Sequence, residues 1–117
     1  MITVTFYAKE IEQDIKVNLE SVTGFSIEGH AGYARHGKDI VCAAVSALVM
    51  NTMNSIQAFT SDVFDYSEDE KKGRIVFKIV SEPAPDAKLF LKSLILGLQG
   101  IQEEYGEKYL RIGFQNS

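Results

Sequence analysis

The chain opens on alternation: Ile2, Val4 and Phe6 interleave with Thr3, Thr5 and Tyr7, and Ile15, Val17 and Leu19 interleave with Lys16, Asn18 and Glu20. A period of two places each set on one side of an extended chain, so two strands are expected, joined by the mostly polar stretch Lys9 to Asp14. Thr23-Gly24 reads as a bend, after which Phe25 and Ile27 resume the alternation and carry a third strand into Gly29-His30. The period then changes. Ile40, Val41, Ala44, Val45, Leu48 and Val49 recur at helical spacing, with Asp39 in the N-cap position, and the helix is expected to reach about Gln57. No residue from Ile40 to Ser61 is charged, which predicts a helix buried on more than one side with Met50 and Met53 in the core.

Val63, Phe64 and Tyr66, the polar turn Glu68 to Gly73, and Ile75, Phe77 and Ile79 form a hairpin pattern. Pro83 and Pro85 break the chain before a second helix, whose stripe of Leu91, Leu94, Ile95, Leu98, Ile101 and Tyr105 leaves Lys88, Lys92 and Glu103 outside it. Gly106 ends that helix, and Leu110, Ile112 and Phe114 alternate as a last strand. The predicted order is βββαββαβ. It suits an α+β fold, a two-layer sandwich of a mainly antiparallel sheet of about five or six strands with two helices. At 117 residues, one domain over residues 1–117 is expected.

Composition narrows the function. With 45% hydrophobic and 24% charged residues and no biased tract, the chain is expected to fold as an ordinary soluble protein. The net charge of -4 and the lack of a Lys or Arg cluster argue against direct nucleic-acid binding. The longest apolar run, Ile40 to Met50, is 11 residues, so no membrane crossing is expected. A sole cysteine forms no internal disulfide and the polar N-terminus lacks a secretory pattern, which makes the cytoplasm the expected compartment.

The distinctive chemistry lies between Gly29 and Cys42. With Asp39 as cap, Cys42 is the third helical residue, where free amides and the positive end of the helix dipole favour a thiolate. His30 leaves a strand 12 residues earlier, and the intervening loop, with Gly32, Tyr33 and Gly37, is long enough to bring the imidazole back beside the sulfur. A histidine and a thiolate so paired can attack a carbonyl and then protonate a departing amine, which is cysteine peptidase chemistry. The amides at the helix start are candidate oxyanion donors. Asp39 is expected to order the helix start, and Ser46, one turn after Cys42, to line the site or bond back to the Cys42 carbonyl. His36, in a polar glycine-flanked loop, is expected to face solvent rather than act as a second base. The set His30, His36, Asp39 and Cys42 follows no zinc-ligand pattern, and neither metal nor cofactor is expected.

The segments Gly-His-Ala-Gly-Tyr-Ala and Gly-Lys-Asp-Ile-Val-Cys-Ala-Ala-Val-Ser-Ala-Leu resemble the signature of the ribosomal-processing cysteine protease (Prp) family. The resemblance covers essentially the whole chain, its diagnostic part Gly29 to Leu48, and the polar stretch around Lys9 to Glu20 is longer than the family's first turn. It implies a homodimeric endopeptidase that removes the N-terminal extension of large-subunit ribosomal protein L-twenty-seven. His30 and Cys42 match its catalytic pair, Gly29, Asp39 and Ser46 its supporting positions, and the loop with Gly32, Tyr33 and Gly37 a gate over the substrate cleft. Two other classes fit the residues. One is a non-enzymatic ribosome-assembly or peptide-binding module in which Cys42 is dispensable. The other is a redox-sensing thiol, which would need a partner thiol because no second cysteine is present.

Overall fold

A computed structural model describes residues 1–12, 16–35 and 37–117. The strand pattern at Ile15 and the solvent-facing role read for His36 fall outside the described residues. The elements are β1 (Ile2–Ala8), β2 (Ile11–Glu12), β3 (Lys16–Val17), β4 (Val22–Glu28), α1 (Ile40–Phe59), β5 (Phe64–Asp69), β6 (Arg74–Ile79), α2 (Pro85–Tyr105) and β7 (Leu110–Asn116). Five strands form one sheet in the order β5-β6-β4-β1-β7, and β2 pairs with β3 in a separate ribbon. Every pairing in the main sheet is antiparallel except that of β1 with β7. The expected α+β sandwich, mainly antiparallel with two helices, is therefore the architecture observed.

Register explains the two layers. Val4 faces Ile27 on one side and Ile112 on the other, and Phe6 faces Phe25 and Phe114, so the apolar members of each alternating strand fall on one side of the sheet. That side carries a row of phenylalanines: Phe114, Phe6, Phe25, Phe77 and Phe64, with successive ring centroids 5.8, 5.9, 5.5 and 4.9 Å apart. Adjacent rings on paired strands add attraction beyond the area they bury. The helices supply the second layer, Val41, Val45, Val49 and Ile56 from α1 and Leu91, Leu94, Ile95 and Leu98 from α2 joining the same core. Thr3, Thr5, Glu28, Lys78 and Arg111 lie on the opposite side of the sheet, as the alternation requires.

Four local expectations need correction. The second predicted strand survives only as Lys16–Val17; Leu19–Ser21 is a 3₁₀ turn because the Asn18 side chain accepts from the Glu20 amide and its carbonyl accepts from Ser21 Oγ. Thr23-Gly24 is not a bend but part of β4, and Gly24 is required there by the neighbouring strand: a Cβ would lie 2.3 Å from the Phe77 carbonyl oxygen. Helix α1 ends at Phe59 rather than near Gln57, its final turn closed by the Thr60 amide and hydroxyl on the Ile56 carbonyl. Nor is α1 buried all round. Ala43, Ser46 and Ala47 are exposed, and Met50, expected in the core, is 57% exposed, so the uncharged character of this helix does not mean that its own fold covers it. By length and composition the 20-residue α1 is also apolar enough to cross a membrane, which the 11-residue run did not reveal; here its Val41-to-Ile56 stripe packs into the core.

Candidate active site

Gly29 closes β4 and determines where His30 leaves the sheet. Its φ of +94° suits glycine, and a Cβ would lie 2.4 Å from the Met1 carbonyl oxygen, so both conformation and space exclude a side chain. Its amide donates to the Gly73 carbonyl at the turn of the β5–β6 hairpin, which ties the strand end to that turn. His30 follows with an exposed side chain.

Asp39 organises the other side of the site. Its Oδ1 accepts from the amides of Val41 and Cys42, each at 3.0 Å, so it is the N-cap of α1 and Cys42 is the third helical residue, as expected. Its Oδ2 accepts from the Tyr33 amide at 3.0 Å, pinning the loop to the helix start. Burial pushes the Asp39 carboxyl up, but the amides of Cys42, Tyr33 and Ala34 and the Cys42 thiol together outweigh it and hold the carboxyl below its ordinary value. An ionised cap at neutral pH follows.

These two sides enclose a cleft of about 560 Å³. His30, Cys42, Gly29, Asp39, Ser46, Gly32 and Gly37 line it, so the structure brings together every predicted site residue except Tyr33. Its floor is apolar: Ile2, Ile27 and Ile75, from the ends of β1, β4 and β6. Such a shape, an apolar floor below a few convergent polar groups, suits a peptide side chain beside a reacting bond. Among the described residues the imidazole of His30 makes no hydrogen bond to the sulfur. The donor to Cys42 Sγ is the Ala31 amide at 3.2 Å. Ser46 is exposed to the cleft and makes no bond back to the Cys42 carbonyl among the described residues, which selects the lining role of the two expected for it.

The expectation for the oxyanion donors fails for three of the helix-start amides. The amides of Val41 and Cys42 are taken by Asp39 Oδ1, and that of Ala43 donates to the Asp39 carbonyl at 3.1 Å. These three amides are thus committed to the cap. Tyr33 turns from the cleft to set its ring edge-on against Tyr105, at 5.4 Å between centroids, and Tyr109, at 5.1 Å. Neither the Ala31 amide nor the tyrosine pair has a side-chain signature in the sequence: a backbone donor has none, and Tyr105 reads as part of a packing stripe.

A family model described as cysteine protease Prp matches residues 1–110. The ribosomal processing cysteine protease Prp of Staphylococcus aureus is 36% identical over 106 residues, covering 90% of this chain and 99% of its own, and that of Bacillus subtilis is 29% identical over 92 residues, covering 74% and 80%. The crystal structure of the Staphylococcus aureus ribosomal processing protease Prp with a covalently linked product peptide superposes with a TM-score of 0.82 at 32% identity, covering 98% of this chain and 100% of that one. A structure of the same protease with a substrate peptide gives 0.77 at 31% identity, with the same coverage. Sequence and fold agree over nearly the whole chain, and the chain belongs to the ribosomal processing cysteine protease Prp family.

Proposed function

We propose that Cys42 is the nucleophile and His30 the acid and base of this protease, and that its substrate is the N-terminal extension of large-subunit ribosomal protein L-twenty-seven. The observation that carries the reading is that the sole cysteine and His30 line one cleft with an apolar floor, the cysteine on the first turn of a capped helix. The Cys42 thiol gives its proton to His30, and the resulting thiolate attacks the scissile carbonyl carbon, forming the C–S bond as the carbonyl pair moves to oxygen. Collapse of this adduct expels the amine, which takes its proton from His30, and water then releases the acyl group from sulfur with His30 as base. Asp39 holds the helix start, Gly29 aims His30, Ser46 lines the wall, and the loop through Gly32, Tyr33 and Gly37 covers the cleft.

The relatives' ribosomal processing and peptide complexes support the substrate class, and the Ile2, Ile27 and Ile75 floor favours an apolar side chain next to the cut bond. The reading includes a homodimer in the cytoplasm. Met50 on α1 and Leu96 on α2, 57% and 71% exposed, supply apolar surface for a second copy, and light scattering in solution measures the mass directly. Mass spectrometry of a peptide spanning the extended N-terminus tests the substrate: one defined cut by the wild type, absent with Cys42→Ala and His30→Ala, is expected. Cleavage that persists in Cys42→Ala, or none on peptide or full-length protein, refutes it; binding without cleavage would favour a peptide-binding module.

A further inference from the structure

We propose that the backbone amide of Ala31 is the oxyanion donor of this enzyme, and that Tyr33 is the positioning residue that holds it there. The inference rests on the reading of Cys42 as nucleophile and adds the group that stabilises its transition state. A tetrahedral adduct on Cys42 needs a donor to its oxygen, in a place where charge develops and water is scarce. Three of the usual donors on a helix start are already engaged: the amides of Val41, Cys42 and Ala43 are bonded to the Asp39 side chain and carbonyl. The Ala31 amide, from the loop that covers the cleft, points at the sulfur from 3.2 Å, and Ala31 is 3% exposed. As sulfur attacks, its charge passes to an oxygen one carbon away, and a donor already within reach of the sulfur follows that charge with a small reorientation. When the adduct collapses and the amine leaves, the charge returns to a neutral carbonyl and the donor is released.

The loop must hold this amide in place, and two contacts at Tyr33 do so. Its own amide is bonded to Asp39 Oδ2 at 3.0 Å, and its ring packs in T-shaped contacts with Tyr105, at the end of α2, and Tyr109, just before β7. Both rings pack against the core, so Tyr33 transmits the position of the scaffold to a loop residue two places away. The Tyr33 hydroxyl has no hydrogen-bond partner among the described residues, and the contact is therefore one of ring shape alone.

The test replaces Ala31 by lactic acid during translation, which exchanges one N–H for an ester oxygen and keeps the methyl group. Cleavage of the substrate peptide is expected to fall about 100-fold to 1000-fold in kcat with KM little changed, as removal of one oxyanion donor does. Tyr33→Ala is expected to lower kcat about tenfold through loss of two aromatic contacts, and Tyr33→Phe to restore it. A lactate variant with kcat within about threefold of wild type overturns the donor assignment while leaving Cys42 as nucleophile. Tyr33→Ala at wild-type kcat, or Tyr33→Phe as impaired as Tyr33→Ala, overturns the positioning role. A wild-type protein that cuts nothing removes the protease reading, and this assignment with it.

Discussion

Replacing Asp39 by alanine removes three hydrogen bonds at once, and their geometry sets the size of the effect. The two on Oδ1 form the N-cap, and loss of an N-cap side chain costs about 1 kcal/mol, within a range of roughly 0.5–2. The third, from the Tyr33 amide, is charge-assisted but lies at the surface, which limits it to about 1 kcal/mol. The sum is about 2 kcal/mol, or a urea midpoint lower by about 1 M at a slope of about 2 kcal/mol/M. Asp39→Asn keeps an accepting oxygen for the cap and is expected to lose about half as much, since Asn caps nearly as well as Asp. The two variants also separate by pH. The Asp39 carboxyl sits below its ordinary value of 3.8 in the folded chain, so its contribution is fully present above that value and disappears as pH falls through the lowered folded value. The gap between wild type and Asp39→Asn in urea unfolding should close over that acidic interval. Stability of Asp39→Ala within about 0.3 kcal/mol of wild type, or a gap to Asp39→Asn that does not change with acid, would refute the cap as described.

Three further perturbations follow from the packing. Phe25→Ala, at the middle of the phenylalanine row with a ring that is 0% exposed, is expected to lose about 3–5 kcal/mol by thermal or urea unfolding; a loss below about 1 kcal/mol would contradict its central place in the core. Gly29→Ala meets the Met1 carbonyl oxygen and an unfavourable φ, costs about 1–3 kcal/mol, and should lower kcat by displacing His30; full activity in that variant would show that Gly29 does not aim the imidazole. Ile75→Asp on the cleft floor is expected to raise KM for a peptide with an apolar residue before the cut and to spare Cys42 alkylation, so unchanged KM would remove Ile75 from substrate contact.

What the sequence discloses differs by element. The strand β1 and the helix α2 are readable because their periods extend over enough residues for one face to be assigned, and Asp39 because a cap is local chemistry. The stretch at Leu19 is not, since a short alternation is weak against the side-chain bonds of Asn18 and Ser21 that bend it into a turn. Gly24 looks like a bend until the backbone of β6 is seen lying against it. The exposed Met50 marks the limit of composition: an uncharged helix face says that something apolar is tolerated there, not which surface covers it. In the site, His30 and Cys42 are legible as residue types at a workable spacing, whereas the diversion of the helix amides to Asp39 and the approach of the Ala31 amide are properties of backbone direction, which no residue type records.

Intact-mass spectrometry of the protein acid-quenched during turnover of an activated peptide ester identifies the nucleophile without intermediaries. A covalent adduct of the acyl mass is expected, located by digestion on Cys42 and absent in Cys42→Ala, with its hydrolysis slowed in His30→Ala. Turnover by Cys42→Ala, or an acyl group found on any other residue, would contradict Cys42 as the nucleophile.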